Sequence, residues 1–284
     1  MGDIGSLAFV PYLAGNAMEV LRKSDDGQFF FMMKHLPEIY GVYEMLGSEE
    51  SKKVFRATIK GRLTGKISDY RFAPEPQYFL EGFTPNAGDI VVDGGAYDGA
   101  TSIAFAKYGA KVFAFEMDAA NYKNCAARLN GLELEITLEN LGLSNKESIE
   151  SYFVCGTASR KDSRGNLQAK FIDLDTYVER KNLPRVDYIK LDIEGAELEM
   201  LHGAAKIISR YKPKMAVSAY HRPEDLWTLA IYIKSLRPDY EFEFRHYRID
   251  CNDYSLNDDE RAVLKYFGLN CLVHTECETV LYCR

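Results

Sequence analysis

Asp89 to Asp93 form a short apolar run closed by acids, DIVVD, and a turn carrying Gly94, Gly95 and Gly99 follows at once. This feature constrains the fold more than any other. An apolar run too short for a helix and bounded by glycines reads as a strand buried on both faces. TSIAFAKYG behind it has a helical composition, and KVFAFE reads as the next strand. The same grammar continues through the helix DAANYKNCAARLN, the strand DYIKLDI, one helix over AELEMLHGAAKIISRY, the strand KMAVSAY and the helix PEDLWTLAIYIKSL. LEITLENLGL and SIESYFV read as strands of a hairpin-like excursion. EFEFRHYRI and CETVLYC add two strands without a clear full-length helix between them, so an antiparallel pair is expected at one edge. Asn252 to Leu269 has too little pattern to assign. Alternating strands and helices imply an α/β, Rossmann-like sheet, mostly parallel with an antiparallel edge strand.

The first 75 or so residues differ. LPEIYGVYEMLGSEESKKVFRATIKGRL spaces Ile39, Val42, Tyr43, Leu46, Val54, Phe55, Ile59 and Leu63 mostly three or four apart, the period of a helix face. Gly47 can end one helix and Ser48 cap the next, with Glu49 and Glu50 suiting its positive end. The proline-rich RFAPEPQYF reads as a linker, so residues 1–76 are expected to be a helical extension and 77–284 the main domain. Aromatic residues of the extension, Tyr40, Tyr43 and Phe55, suit a core better than a lid.

Charge narrows the partners. The chain of 284 residues carries −7, and its densest basic stretch, Arg160 to Arg164, includes Asp162, so no nucleic-acid partner is expected. No apolar run reaches the roughly 20 residues of a membrane span. The start lacks a basic leader, so a cytoplasmic protein is expected, although Gly2 and Ser6 match the loose myristoylation pattern. The six cysteines, Cys125, Cys155, Cys251, Cys271, Cys277 and Cys283, form no CxxC and read as reduced thiols.

Ligands of such sheets sit beyond the carboxyl ends of the strands. A dinucleotide fingerprint would need glycine at position 96, where Ala96 stands, whereas Asp93, Gly95 and Gly99 fit D-x-G-x-x-x-G. That spacing resembles the first motif of class I S-adenosylmethionine-dependent methyltransferases. Their cofactor carries an ammonium and a sulfonium instead of a pyrophosphate, so Asp93, aided by Asp98, is expected near its positive end. Glu116 closes the next strand and can accept the ribose hydroxyls, with Met117 beside the adenine. Gly94, Ala96, Tyr97, Thr101 and Ser102 around the turn, and Asn140 and Leu141 further on, complete the expected cofactor contacts. A glycine turn without a ligand, and Glu116 as a simple helix cap, are the competing readings.

VVDGGAYDGATS, DYIKLDIEGAELEMLHGA, VSAYHRPEDLW, FRHY and ETVLYC, in this order, resemble the FkbM-type methyltransferases from about Gln77 to the C-terminus. The resemblance implies methylation of a hydroxyl on a sugar, glycan or other secondary metabolite, with S-adenosylhomocysteine as product. It also implies that Gln77 and Tyr78 close over the cofactor. Asp192, Glu194 and His221 end the fourth and fifth strands of the parallel series, on the ligand edge. Asp192 or His221 is the expected base, with Glu194 in support. As alternatives, Asp192 can cap a helix, Glu194 can be a solvated helix-start acid and His221 can bond backbone. The three together could ligate a divalent ion. His246 either faces this pocket or serves packing. The other open readings are an N- or RNA methyltransferase and a non-catalytic adenosyl-binding protein. Against the first stands LDIE, where amine-modifying base methyltransferases place an NPPY-like tetrad.

Overall fold

The computed structural model describes residues 26–154, 159–249 and 276–284. The myristoylation pattern at Gly2 and Ser6, Asn252 to Leu269, His274, Cys155, Cys251 and Cys271 lie outside the described residues.

The apolar runs become a seven-stranded sheet. Its parallel members are β1 (Ile90–Gly94), β2 (Lys111–Phe115), β3 (Ile136–Glu139), β8 (Tyr188–Leu191) and β9 (Lys214–Ser218). β10 (Phe242–Ile249) and β11 (Glu276–Cys283) form the expected antiparallel pair. β11 is inserted against β9 and β10 closes the edge, giving the order β10-β11-β9-β8-β1-β2-β3. Chain order reverses between β1 and β8, where a crevice opens at the carboxyl ends of the strands.

The excursion builds a sheet of its own, β4-β7-β5-β6, from β4 (Gly142–Ser144), β5 (Ser148–Phe153), β6 (Arg160–Lys161) and β7 (Leu167–Asp173). Its approach also breaks the helix expected over AELEMLHGAAKIISRY. A side chain at Gly203 would meet the Ser144 carbonyl oxygen at 2.1 Å, and two short helices, Glu197–His202 and Ala205–Tyr211, flank this contact.

Helices α1 (Asp26–Lys34), α2 (Leu36–Met45) and α3 (Glu49–Thr64) precede the sheet. Ser48 caps α3 by accepting the Ser51 N–H at 3.1 Å, a contact worth about 1 kcal/mol. Met32, Ile39, Phe55 and Leu63 of these helices share one buried cluster with Val92, Phe113, Trp227 and Phe242. The next helices are α4 (Ala100–Lys107), α5 (Ala119–Leu129) and α6 (Leu174–Arg180); the split pair are α7 and α8, and α9 (Asp225–Leu236) follows β9. No helix among the described residues is long and apolar enough to cross a membrane. Cys125 and Cys283 are free, buried thiols.

Candidate active site

The glycine turn is fixed from beneath by charge. Asp93 is fully buried at the end of β1, and its carboxylate accepts the Ser102 hydroxyl at 2.5 Å and faces Lys190 Nζ at 3.0 Å. Lys190, 2% exposed in the middle of β8, also donates to the Gly94 and Gly95 carbonyls at 3.1 and 2.7 Å. Burial alone would lower the ammonium's pKa, but Asp93 and then Asp192 outweigh it and raise it. Asp93 therefore supports the turn from below.

Packing demands two of the glycines. Gly95, at φ 77°, has the Asp192 carbonyl where a Cβ would stand, 1.8 Å away. Gly99, at φ 81°, has Cys125 Sγ at 2.8 Å. Most of the turn's donors are spent internally. Gly95 and Ala96 N–H both reach the Phe115 carbonyl (3.0 and 2.9 Å), Tyr97 N–H reaches Glu116, Gly99 N–H reaches the Ala96 carbonyl and Ala100 N–H reaches Asp98. Such a turn has few donors left for a pyrophosphate.

Glu116, 6% exposed, follows directly on β2. One oxygen accepts Tyr97 N–H at 2.9 Å and the other Asp118 N–H at 2.8 Å, so each keeps a lone pair for a diol. Burial raises its pKa against those two backbone bonds. The helix cap of α5 is Asp118, not Glu116. Met117 packs toward Tyr152 and Phe171, and Asn140 donates to the Glu116 and Met117 carbonyls, tying the chain after β3 to this corner beside Leu141. Thr101 and Ser102 lie in the first turn of α4, and Tyr97 is 43% exposed at the bend. Asp98 pairs with Arg128.

The second group gathers where β8 and β9 end. His221 Nε2 lies 3.5 Å from Asp192 Oδ1 and 3.4 Å from Glu194 Oε2. Its Nδ1 lies 2.9 Å from Glu197 Oε1. Burial would lower the imidazole's pKa; the hydrogen bond to Glu197 and the charges of Glu197, Asp192 and Glu194 overcome this and raise it to about 9. Asp192 is held by two phenols, Tyr78 at 2.9 Å and Tyr220 at 3.1 Å. Asp192, Glu197 and His221 each offer one ligand atom within 4.8 Å of the others, so the metal-ligating set the geometry allows contains Glu197 where Glu194 was expected.

Tyr78 is buried with φ 68°, its N–H donating to the Tyr282 hydroxyl at 2.9 Å. Gln77 donates to Glu278, whose carboxyl burial and then Asp192 push up to about 7. These residues link the segment before β1 to Asp192. A cavity of about 480 Å³ opens beside Glu194 and Gly195, walled by Ser151, Lys161, Ser163 and Arg222. His246 is buried against the rings of Tyr70 and Phe72, centroids 4.4 and 5.3 Å away, with Nδ1 2.8 Å from the Thr279 hydroxyl, and serves packing; burial and then Arg62 lower its pKa to about 3.

Lys190, Glu197, Tyr220 and Glu278 were absent from the expected site. For Lys190 and Glu278 the signal was available: a charge inside a buried strand requires a partner.

Residues 93–268 match the Methyltransferase FkbM domain. The chain belongs to the FkbM methyltransferase family. Among solved structures, the FkbM methyltransferase of Methylobacillus flagellatus KT aligns at 25% identity with a TM-score of 0.65, over 88% of this chain and 59% of that one. The chain thus spans under two thirds of that relative. The precorrin 8w decarboxylase of Methanobacterium thermoautotrophicum aligns at 13% identity and TM-score 0.41, over 70% and 82% of the two chains. An rRNA methylase from Streptococcus thermophilus aligns at 18% and 0.40, over 69% and 87%. No curated protein is significantly similar in sequence.

Proposed function

We propose that the protein transfers the methyl group of S-adenosylmethionine to a hydroxyl of a sugar, glycan or other secondary metabolite. The observation carrying this reading is the position of His221. Its Nε2 stands between Asp192 and Glu194, and the Asp192 carbonyl lies directly against Gly95 of the turn. A proton acceptor thus adjoins the bend that would hold the donor.

The residues fit such a cofactor. Glu116 keeps free lone pairs for the ribose diol, and the N–H groups of Gly95, Ala96, Tyr97, Gly99 and Ala100 are occupied, which disfavours a pyrophosphate. When bound, the cofactor supplies a methyl made electrophilic by positive sulfur. The chain's task is to align the acceptor and take its proton. Asp192 already accepts a phenolic hydrogen bond on each oxygen, which occupies lone pairs that a substrate proton would need. Neither ring nitrogen of His221 makes a hydrogen bond among the described residues, so His221 is the better proton acceptor and Asp192, 3.5 Å from Nε2, the group that stabilises the resulting imidazolium. The polar cavity beyond Glu194 suits a hydroxyl-bearing acceptor.

Two measurements test this. Calorimetry should detect S-adenosylhomocysteine binding, and labelled donor should transfer its methyl to a hydroxyl in a panel of glycans, polyketides and amines. Asp192→Asn and His221→Ala should each reduce turnover far more than cofactor affinity. Transfer to amines alone, or near-normal turnover in both variants, overturns the proposal.

A further inference from the structure

The cavity beside Glu194 and Gly195 bears on what the acceptor must carry. Gly195 is buried where the cavity, His221 and Arg222 meet. A Cβ there would lie 3.2 Å from Arg222 Nε and 3.6 Å from His221 Cβ, so the bare backbone lets both residues close on the loop after β8. Arg222 directly follows His221 in the chain. Whatever its guanidinium holds is therefore held next to the proposed proton acceptor. The hydrogen-bonding capacity of the wall is unevenly spent. Lys161 Nζ is 2.6 Å from Glu150 and 2.8 Å from Glu199. Glu150 also accepts the Ser148 hydroxyl at 2.7 Å, and Glu199 the Ser144 hydroxyl at 2.9 Å. These charges answer one another, and Glu194 faces His221 Nε2. The exposed side chain of Arg222, by contrast, makes no hydrogen bond or ion pair among the described residues, and neither do the hydroxyls of Ser151 and Ser163. A guanidinium only donates, so the spare capacity of the wall is led by N–H donors and a positive charge.

We infer that the acceptor carries a carboxylate as well as its reacting hydroxyl, as a uronic acid does, and that Arg222 pairs with this carboxylate. The inference names the acceptor class for the function proposed above and rests on that reading. A guanidinium presents parallel N–H groups that match the two oxygens of a carboxylate, so the pair fixes orientation as well as position. Ser151 and Ser163 then face the remaining oxygens of the sugar. A single negative charge is what this wall accommodates. Glu150 and Glu199 share the one ammonium of Lys161, and Asp192 and Glu194 flank the imidazole, so a doubly charged phosphate would meet more repulsion than Arg222 offsets. The volume of about 480 Å³ lies within the usual range of small-molecule sites and admits one sugar ring with its substituents.

The test is nitrogen-15 NMR of the arginine Nε–H groups in the full chain saturated with S-adenosylhomocysteine, with Arg222→Gln to assign the signal and calorimetry for the variants. The probes are D-glucuronate, D-glucose with sodium chloride at equal ionic strength, and glucose 6-phosphate. Glucuronate should shift the Arg222 signal saturably and bind at least about tenfold more tightly than either other probe. Arg222→Gln should weaken glucuronate about tenfold or more, with S-adenosylhomocysteine affinity kept within about twofold. Arg222→Lys should fall between, because an ammonium keeps the charge and loses the paired geometry. The inference is overturned by any of four results: no saturable shift with glucuronate, equal affinity for glucose, tighter binding of glucose 6-phosphate, or unchanged glucuronate affinity in Arg222→Gln. Labelled donor separates this inference from the reaction it rests on. Methylation of neutral sugars with hydroxy acids left untouched keeps the proposed reaction and overturns the carboxylate. Glucuronate held at Arg222 with no hydroxyl methylated in the acceptor panel sinks the reaction and leaves the carboxylate site standing.

Discussion

Replacing Lys190 by Met examines the support beneath the turn. Met matches the length of the lysine stem and fills its space, so the change is almost purely one of charge. Lys190 and Asp93 are 2% and 0% exposed, and their 3.0 Å contact is unscreened by water. Removing one partner of such a pair costs about 3–5 kcal/mol, because the other charge stays buried alone. Asp93 would retain only the Ser102 hydroxyl. The Gly94 carbonyl would still accept the Asp192 N–H at 3.0 Å, but the Gly95 carbonyl loses the 2.7 Å bond from Lys190, adding about 1 kcal/mol. The total, near 5 kcal/mol, is a large share of a typical domain's stability and should lower Tm by roughly 10–15 °C. Asp93→Asn in the same background removes the stranded charge and should recover at least about 2 kcal/mol, a coupling read from urea or thermal melts of the four proteins. At a temperature where Lys190→Met is still folded, its affinity for S-adenosylhomocysteine should also fall, because the turn has lost its tether. A loss below about 1 kcal/mol, or strictly additive single and double variants, would refute the reasoning.

Gly95→Ala places a methyl 1.8 Å from the Asp192 carbonyl at φ 77°, and strain plus overpacking of about 2–6 kcal/mol should abolish S-adenosylhomocysteine binding in calorimetry and lower Tm. His221 should make kcat/KM climb with pH toward about 9, since the base must first lose its proton; a profile already flat from pH 6 contradicts it as base. Its folded pKa is raised, so the stability it contributes is complete below the unfolded value near 6.5 and is lost as pH passes 9, which melts of wild type and His221→Ala between pH 6 and 10 should register. Glu278 is also raised, to about 7, so its favourable protonated state is complete below about 4.5 and lost as pH rises through 7. Glu278→Gln can keep contacts to Gln77 and Tyr220 without the charge and should raise Tm at pH 8 while changing it little at pH 4.5; equal shifts at both would count against the buried charge.

What the sequence made legible was local or periodic. DIVVD was readable as a strand because it is apolar throughout, as burial on both faces requires, and Ser48 as a cap because capping involves only residues three apart. The split of α7 from α8 was hidden, since it arises from Ser144, 59 positions before Gly203 in the chain, pressing on that glycine. The site divides the same way. Asp192, Glu194 and His221 could be picked out as strand-end residues. Nothing in the sequence marked Glu197, and its inward course depends on a left-handed Glu194 that no residue type announces. Lys190 and Glu278 advertised themselves as charges in buried strands, but Asp93 and Asp192, the groups they answer to, lie on other elements. The burial of these charges has a common direction. Lys190 is balanced chiefly against Asp93 and then Asp192, while Asp192, Glu194 and Glu197 stand around the His221 imidazole. Three carboxylates gathered around one imidazole disfavour a pyrophosphate at this edge, an electrostatic feature unreadable one residue at a time and consistent with the methyl donor proposed above.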